Sequence, residues 1–194
     1  MLTTLTVNSF IWTWLLLGPW TSAMAFGSLP QSADSKLSNS TFCISHSQEK
    51  NKQAECTRTI QASQVAAELA TLLIRADEVD TILSLSSEKP EQMILLTRTA
   101  SNRANPLGYC GAGYEDVLLL ISHDGNKYSL HDQFLLQSCL QSITLQSDYP
   151  DEVVRSITVN AKQKVIELQW LSKPDDKKHL LSVINKKFVL QDVQ

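Results

Sequence analysis

Val117-Leu118-Leu119-Leu120-Ile121 is apolar throughout, and Asp124-Gly125-Asn126 follows it, ahead of Lys127-Tyr128-Ser129-Leu130. A short apolar run without alternation reads as a strand covered on both faces. Asp-Gly is a strong hairpin signal, because glycine accepts the positive φ that a tight turn needs. The stretch therefore predicts an antiparallel hairpin whose first strand lies in the middle of the fold.

Working outward from it, Gln92-Met-Ile-Leu-Leu-Thr97 is another short apolar segment, and Thr81 to Ser86 alternates in part. Upstream, Val65, Ala66, Leu69, Leu72 and Leu73 recur at helical spacing, with Ser63 placed to cap a helix that ends before the acidic stretch Asp77 to Asp80. Downstream, Ser142 to Leu145 reads as a short strand. Val153 to Val159 turns at Asn160 to Gln163 into Val165 to Leu171, where Ile166, Leu168 and Trp170 share one face and point to the core. Lys173 to Lys178 is a turn, and Leu180 to Leu190 closes the meander. These segments predict an α+β chain, mainly antiparallel β, as a sandwich or meander sheet. It has about eight short strands, one N-terminal helix and two disulfides.

Met1 to Ala25 contains no Asp, Glu, Lys or Arg, and Phe10 to Leu17 is apolar but for Thr13. Ala23-Met24-Ala25 supplies small residues at a cleavage site, so residues 1–25 read as a signal peptide. Residues 26–42 read as a flexible arm, and residues 43–194 as one β-rich domain. Cys43, Cys56, Cys110 and Cys139 all lie in the domain. An even cysteine count in an exported chain favours two disulfides; four cysteines allow three connectivities, of which the pairing of sequence neighbours, Cys43–Cys56 and Cys110–Cys139, is the one favoured. Asn39-Ser40-Thr41 matches a glycosylation sequon. The expected location is the periplasm or the outside of the cell.

A formal net charge of −3 and a pI near 5.8 argue against nucleic-acid binding. Acidic side chains predominate before residue 150 and basic ones after it. Lys162, Lys164, Lys173, Lys177, Lys178, Lys186 and Lys187 gather at turns, as solvated hairpin tips do. His179 beside Lys177 and Lys178 reads as a solvated turn residue.

The most unusual segment is Asn105-Pro-Leu-Gly-Tyr-Cys-Gly-Ala-Gly-Tyr-Glu-Asp116. Gly108, Gly111 and Gly113 give it a specific backbone shape just before the central strand. A phosphate loop would need a helix N-terminus behind it, whereas Glu115, Asp116 and a strand follow here. Cys110 with His123 or His131 would make a thiol-dependent enzyme. Glu115, Asp116, His123, Asp124, His131 and Asp132 do not have the spacing of a known metal motif, so no metal or cofactor is expected. The remaining reading is a rigid recognition tip on a β-scaffold. Its contact residues would be Tyr109, Tyr114, Glu115 and Asp116, shaped by the glycines and tethered by Cys110 and Cys139.

The Asn-Pro-Leu-Gly-Tyr-Cys-Gly-Ala-Gly-Tyr-Glu motif resembles one found in small exported proteins of proteobacteria with no activity attached to them. The resemblance implies a bacterial envelope location. In build alone the chain also resembles periplasmic inhibitors and immunity proteins. The expected function is an exported protein-binding module that blocks a partner enzyme by steric occlusion. An acidic loop suits a basic partner such as a cell-wall hydrolase or toxin. The alternatives are an envelope assembly subunit and a hydrolytic or thiol-dependent enzyme.

Overall fold

The structure, a computed structural model, describes residues 40–45, 56–146, 153–171 and 177–193. The expected signal peptide, most of the expected arm, Asn39 of the sequon, residues 46–55 and Lys173 lie outside the described residues. The elements run in the order β1 (Thr41–Ser45), β2 (Cys56–Gln61), α1 (Ala67–Arg75), β3 (Glu78–Ser86), β4 (Glu91–Ala100), β5 (Tyr114–His123), β6 (Tyr128–Ser138), β7 (Thr158–Asn160), β8 (Val165–Leu168), β9 (His179–Ile184) and β10 (Lys187–Asp192). The chain is α+β and mostly antiparallel, with one helix and two disulfides among the described residues.

The strands form two sheets, one of order β2-β1-β3-β4-β5-β6 and one of order β10-β9-β8-β7. Both are built chiefly from sequence neighbours paired antiparallel. The exception is β1, which meets β3 in parallel at Ser45 and Asp80. The Ser45 hydroxyl fixes that seam by donating to the Asp80 carboxylate and to the Val79 carbonyl.

β5 is central, as its composition requires. Leu118 and Leu120 face the second sheet and pack with Ile94, Leu96, Leu136, Ile166, Leu168 and Leu181. Leu119 and Ile121 face the other way and pack with Leu69, Leu73, Met93 and Leu95 under α1. All four β5 residues are 0–1% exposed. Fully burying such a side chain contributes roughly 1.5–3 kcal/mol, so an unbroken apolar run is stable only in a strand sandwiched between two layers.

Trp170 points into the core as expected, and its indole Nε1 donates to the Leu136 carbonyl at 2.8 Å. Asp132 of β6 ties the sheets at a second point, accepting from the Phe188 amide at 2.8 Å and from Lys187 Nζ at 3.1 Å.

Several boundaries differ from the sequence reading. Among the described residues there are ten strands rather than about eight, because β1 and β2 pair antiparallel beside the expected arm, and Thr41 and Phe42 of that arm belong to β1. β6 continues past Leu130 to Ser138, because Phe134 and Leu136 keep facing the core. Residues 142–145 are not a strand. The chain turns at Cys139–Ser142, with Ser142 at φ 55°, and then pairs only at Ile143 with Ser138 and at Leu145 with Trp170. Val153–Ser156 is a 3₁₀ turn, and only Thr158–Asn160 is extended. His179 is not a solvated turn residue. It is 1% exposed at the start of β9, where its Nδ1 bonds Asp192 Oδ1 at 2.8 Å and its ring lies 5.0 Å from that of Trp170.

Ser63 does not cap the helix. Residues Ala62–Gln64 make a 3₁₀ turn, Val65 bridges to Tyr128, and the Ala66 amide donates to the Tyr128 carbonyl at 2.9 Å. Pinned to β6 in this way, the chain becomes α-helical only at Ala67. Its N-cap is Ala66, in an extended conformation and with no side-chain cap. Ala66→Ser supplies the missing acceptor for the first-turn amides and should stabilise the fold by about 1 kcal/mol in chemical denaturation.

Candidate functional site

The loop joining β4 to β5 spans residues 101–113 and is wound from four consecutive tight turns. Asn105 donates to the Asn102 carbonyl, Gly108 to Asn105, Gly111 to Gly108 and Gly113 to Cys110, at 2.9–3.2 Å, and Ser101 N closes the neck on the Gly113 carbonyl at 2.9 Å. The Asn102 amide side chain adds a bond to the Tyr109 carbonyl at 3.0 Å. Arg103 reaches out to Asp77 at 2.8 Å and to the Arg75 carbonyl at 2.6 Å, which fastens the loop to the end of α1.

Cys110 and Cys139 are bonded, linking the loop to the turn after β6. The second disulfide joins Cys43 in β1 to Cys56 in β2. Both expected pairings are present. Cys110 is therefore an anchor in this structure, and the thiolate that the thiol-enzyme reading needs is tied up.

The glycines are needed for close approach rather than for positive φ, which in this loop falls on Cys110 at 56°. A Cβ on Gly111 would lie 1.9 Å from the Pro106 carbonyl oxygen, and one on Gly113 would lie 2.6 Å from Cys139 Sγ. Neither neighbour is a flexible side-chain end, so the backbone packs here as only glycine permits.

This winding pushes apolar groups outward. Leu107 is 100% exposed, Tyr109 is 70% exposed and Tyr114 is 42% exposed, while Leu140, on the turn that carries Cys139, is 50% exposed. The Tyr109 hydroxyl reaches the Cys139 carbonyl at 3.5 Å.

The expected acidic contacts have different roles. Asp116 is fully buried and cannot touch a partner. It stands across the β4–β5 ladder from Arg98, whose Nε donates to Asp116 Oδ1 at 2.9 Å, and Gln137 Nε2 donates to Oδ2 at 3.3 Å. Gln137 Oε1 in turn accepts from the Leu145 amide at 3.2 Å. The same Arg98 guanidinium lies 4.8 Å from the centre of the Tyr114 ring. Burial pushes the Asp116 carboxyl above its ordinary value, against the opposing pull of Arg98. Glu115 is half-buried and engaged by Ser101 Oγ at 2.5 Å and the Leu140 amide at 3.2 Å. Both carboxylates thus hold the loop base together.

The two His-Asp pairs are separated by the β5–β6 hairpin. His123 stacks on Tyr128, with ring centres 4.1 Å apart. Asp124 accepts from the Asn126 and Lys127 amides at 2.8 Å, and these bonds lower its pKa. Asp132 joins the sheets, as described above. His131 sits at an irregularity in the β5–β6 ladder and bonds Ser122 Oγ at 2.8 Å, with its pKa lowered by burial and by Lys186. No group of three or more metal-ligating side chains forms among the described residues.

Leu107 and Leu140 were not picked out in the sequence. Leu107 carries a signal in retrospect, being an apolar residue flanked by Pro106 and Gly108 with no periodic partner. Leu140 carries none, because its position next to the loop depends on the disulfide. Compared with protein-family models, curated proteins and solved structures, the chain matches none. What fold and site define is a β-rich, doubly disulfide-bonded protein that presents a braced loop with an apolar tip.

Proposed function

We propose that the chain is an exported protein-binding module that inserts the 105–114 loop into a partner and blocks it by occlusion. The observation that carries this reading is the full exposure of Leu107, beside Tyr109, on a loop held by four turns and a disulfide. An apolar side chain held in water at the tip of an ordered loop gains nothing for the fold, whereas burial in a partner's cleft would gain roughly 1.5–3 kcal/mol. Prior ordering of the loop also lowers the entropic cost of binding.

Leu107 and Tyr109 are the anchors and Tyr114 lies at the edge. Because Glu115 and Asp116 are used within the loop base, the proposed contact is apolar and aromatic rather than acidic. The two disulfides are compatible with an oxidising location, the periplasm or the cell exterior. Among the described residues no helix is long and apolar enough to cross a membrane.

The test is capture of a partner from envelope extracts under oxidising conditions, by the protein and by its Leu107→Ala/Tyr109→Ala variant. Loss of two central anchors should weaken capture by about thirtyfold or more. The denaturation midpoint should move by no more than about 0.5 kcal/mol, since both side chains are exposed. Equal capture by both proteins would remove the loop from the binding surface.

A further inference from the structure

A cleft of about 410 Å³ lies away from the loop, between the β3–β4 connection and the second sheet. Leu85, Ser86, Glu88, Lys89, Pro90 and Gln92 line it from one side, and Lys164 and Val183 from the other. Its volume is within the range of small-molecule sites. Leu85, Pro90 and Val183 offer apolar surface. The Gln92 side-chain amide has no hydrogen-bond partner among the described residues, and neither Lys89 nor Lys164 has an acidic one.

Lys164 projects from the β7–β8 turn at φ 56°, and the Lys89 side chain lies against Gly125 of the β5–β6 turn. Glu88 offsets one of the two lysines, so the lining keeps a net positive charge. The polar surface continues beyond the lining, because Gln92 stands across the β4–β5 ladder from Ser122, which bonds His131. Lys186 adds positive charge on that side.

We propose that this cleft binds a small carboxylate with a short apolar body. The carboxylate sits between Lys89 and Lys164, the Gln92 amide donates to it, and the body rests on Leu85, Pro90 and Val183. Apolar side chains beside two ammonium groups favour an amphipathic anion over a bare inorganic one, because only the former removes apolar surface from water.

Amide NMR of the oxidised full chain, titrated with octanoate, tests this. Saturable shifts should centre on residues 85–92, 164 and 183. Octanoate should bind about tenfold tighter than 1-octanol, and inorganic phosphate should bind more weakly than octanoate. Lys89→Gln and Lys164→Gln should each weaken octanoate by up to about fivefold, the scale of an exposed ion pair, with the rest of the spectrum unchanged. The proposal is overturned by the absence of saturable shifts in the wild type, by shifts confined to 105–114, by equal affinity for the alcohol, or by equal affinity for phosphate. Because the wild-type titration alone can overturn it, the proposal does not depend on the variants folding.

Discussion

Asp116→Ala should destabilise the fold by about 3–5 kcal/mol, read as a lowered midpoint in chemical denaturation at neutral pH. The Arg98 side chain is only 12% exposed and Asp116 is not exposed at all. Removing Asp116 takes from the buried Arg98 guanidinium its hydrogen-bonded carboxylate, and breaking a buried pair carries a cost of that size. Gln137 loses its acceptor as well, and the arginine that underlies the Tyr114 ring is released.

Asp116→Leu combined with Arg98→Met should recover most of the loss, since an apolar pair of similar volume needs no compensation. The pH dependence has a definite sign. The folded-state pKa of Asp116 is raised, so the proton-linked part of its contribution, which adds to the pairing with Arg98, is fully present below the unfolded-chain value and is lost as pH rises through the folded value. The stability difference between the wild type and Asp116→Ala should therefore be widest in acid. A midpoint change of less than about 1 kcal/mol would show that solvent reaches Arg98 freely and that the pair does not organise the loop base.

Replacing Cys110 and Cys139 together by Ala should cost about 3–4 kcal/mol and cut partner capture as strongly as the loss of Leu107 and Tyr109. The bond closes a sequence separation of 29 residues, and constraining a loop of that length in the unfolded chain gives this magnitude in the chain-entropy account. The functional effect has a separate origin. Gly113 is packed against the Cys139 side chain and Cys110 is held at positive φ, so without the bond the last two turns of the loop lose what fixes them. The check is denaturation together with amide exchange across residues 101–113, where exchange should quicken far more than in β5. Normal capture by a destabilised variant would separate the disulfide's role in stability from any role in presenting the loop.

The fold was legible wherever burial is two-sided or strictly alternating. Val117 to Ile121 could only be a covered strand, and Ile166, Leu168 and Trp170 share the inward face that period 2 assigns them. Legibility failed where apolar residues are buried from irregular chain. Leu145, Val153 and Ile157 are core residues, yet no strand passes through any of them. Apolarity reports burial, and extended geometry must be inferred separately.

β2 was missed for the opposite reason. In Cys56-Thr-Arg-Thr-Ile-Gln61 only Ile60 is buried, so an edge strand left no periodic mark. At the candidate site the glycines and tyrosines mark a segment that the structure shows as a wound loop between β4 and β5. The role of Asp116 could not be read, because its partner Arg98 is fixed by cross-strand register and is eighteen positions away in the chain. An acidic residue next to an exposed loop looks like a contact until the residue opposite it is known.

The order of the strands also governs how the molecule comes together. In β3 to β6 every strand pairs with its neighbour in sequence, so the larger sheet can zip up hairpin by hairpin as the chain emerges, N-terminal end first. Its second face, with Ile94, Leu96, Leu118, Leu120 and Leu136, has to wait for β8 and β9, which are made later. During that interval a paired but half-roofed sheet presents a broad apolar surface to whatever surrounds it. The segment from Val165 onward is thus a late-arriving cover, and a chain cut before Val165 would be prone to clump.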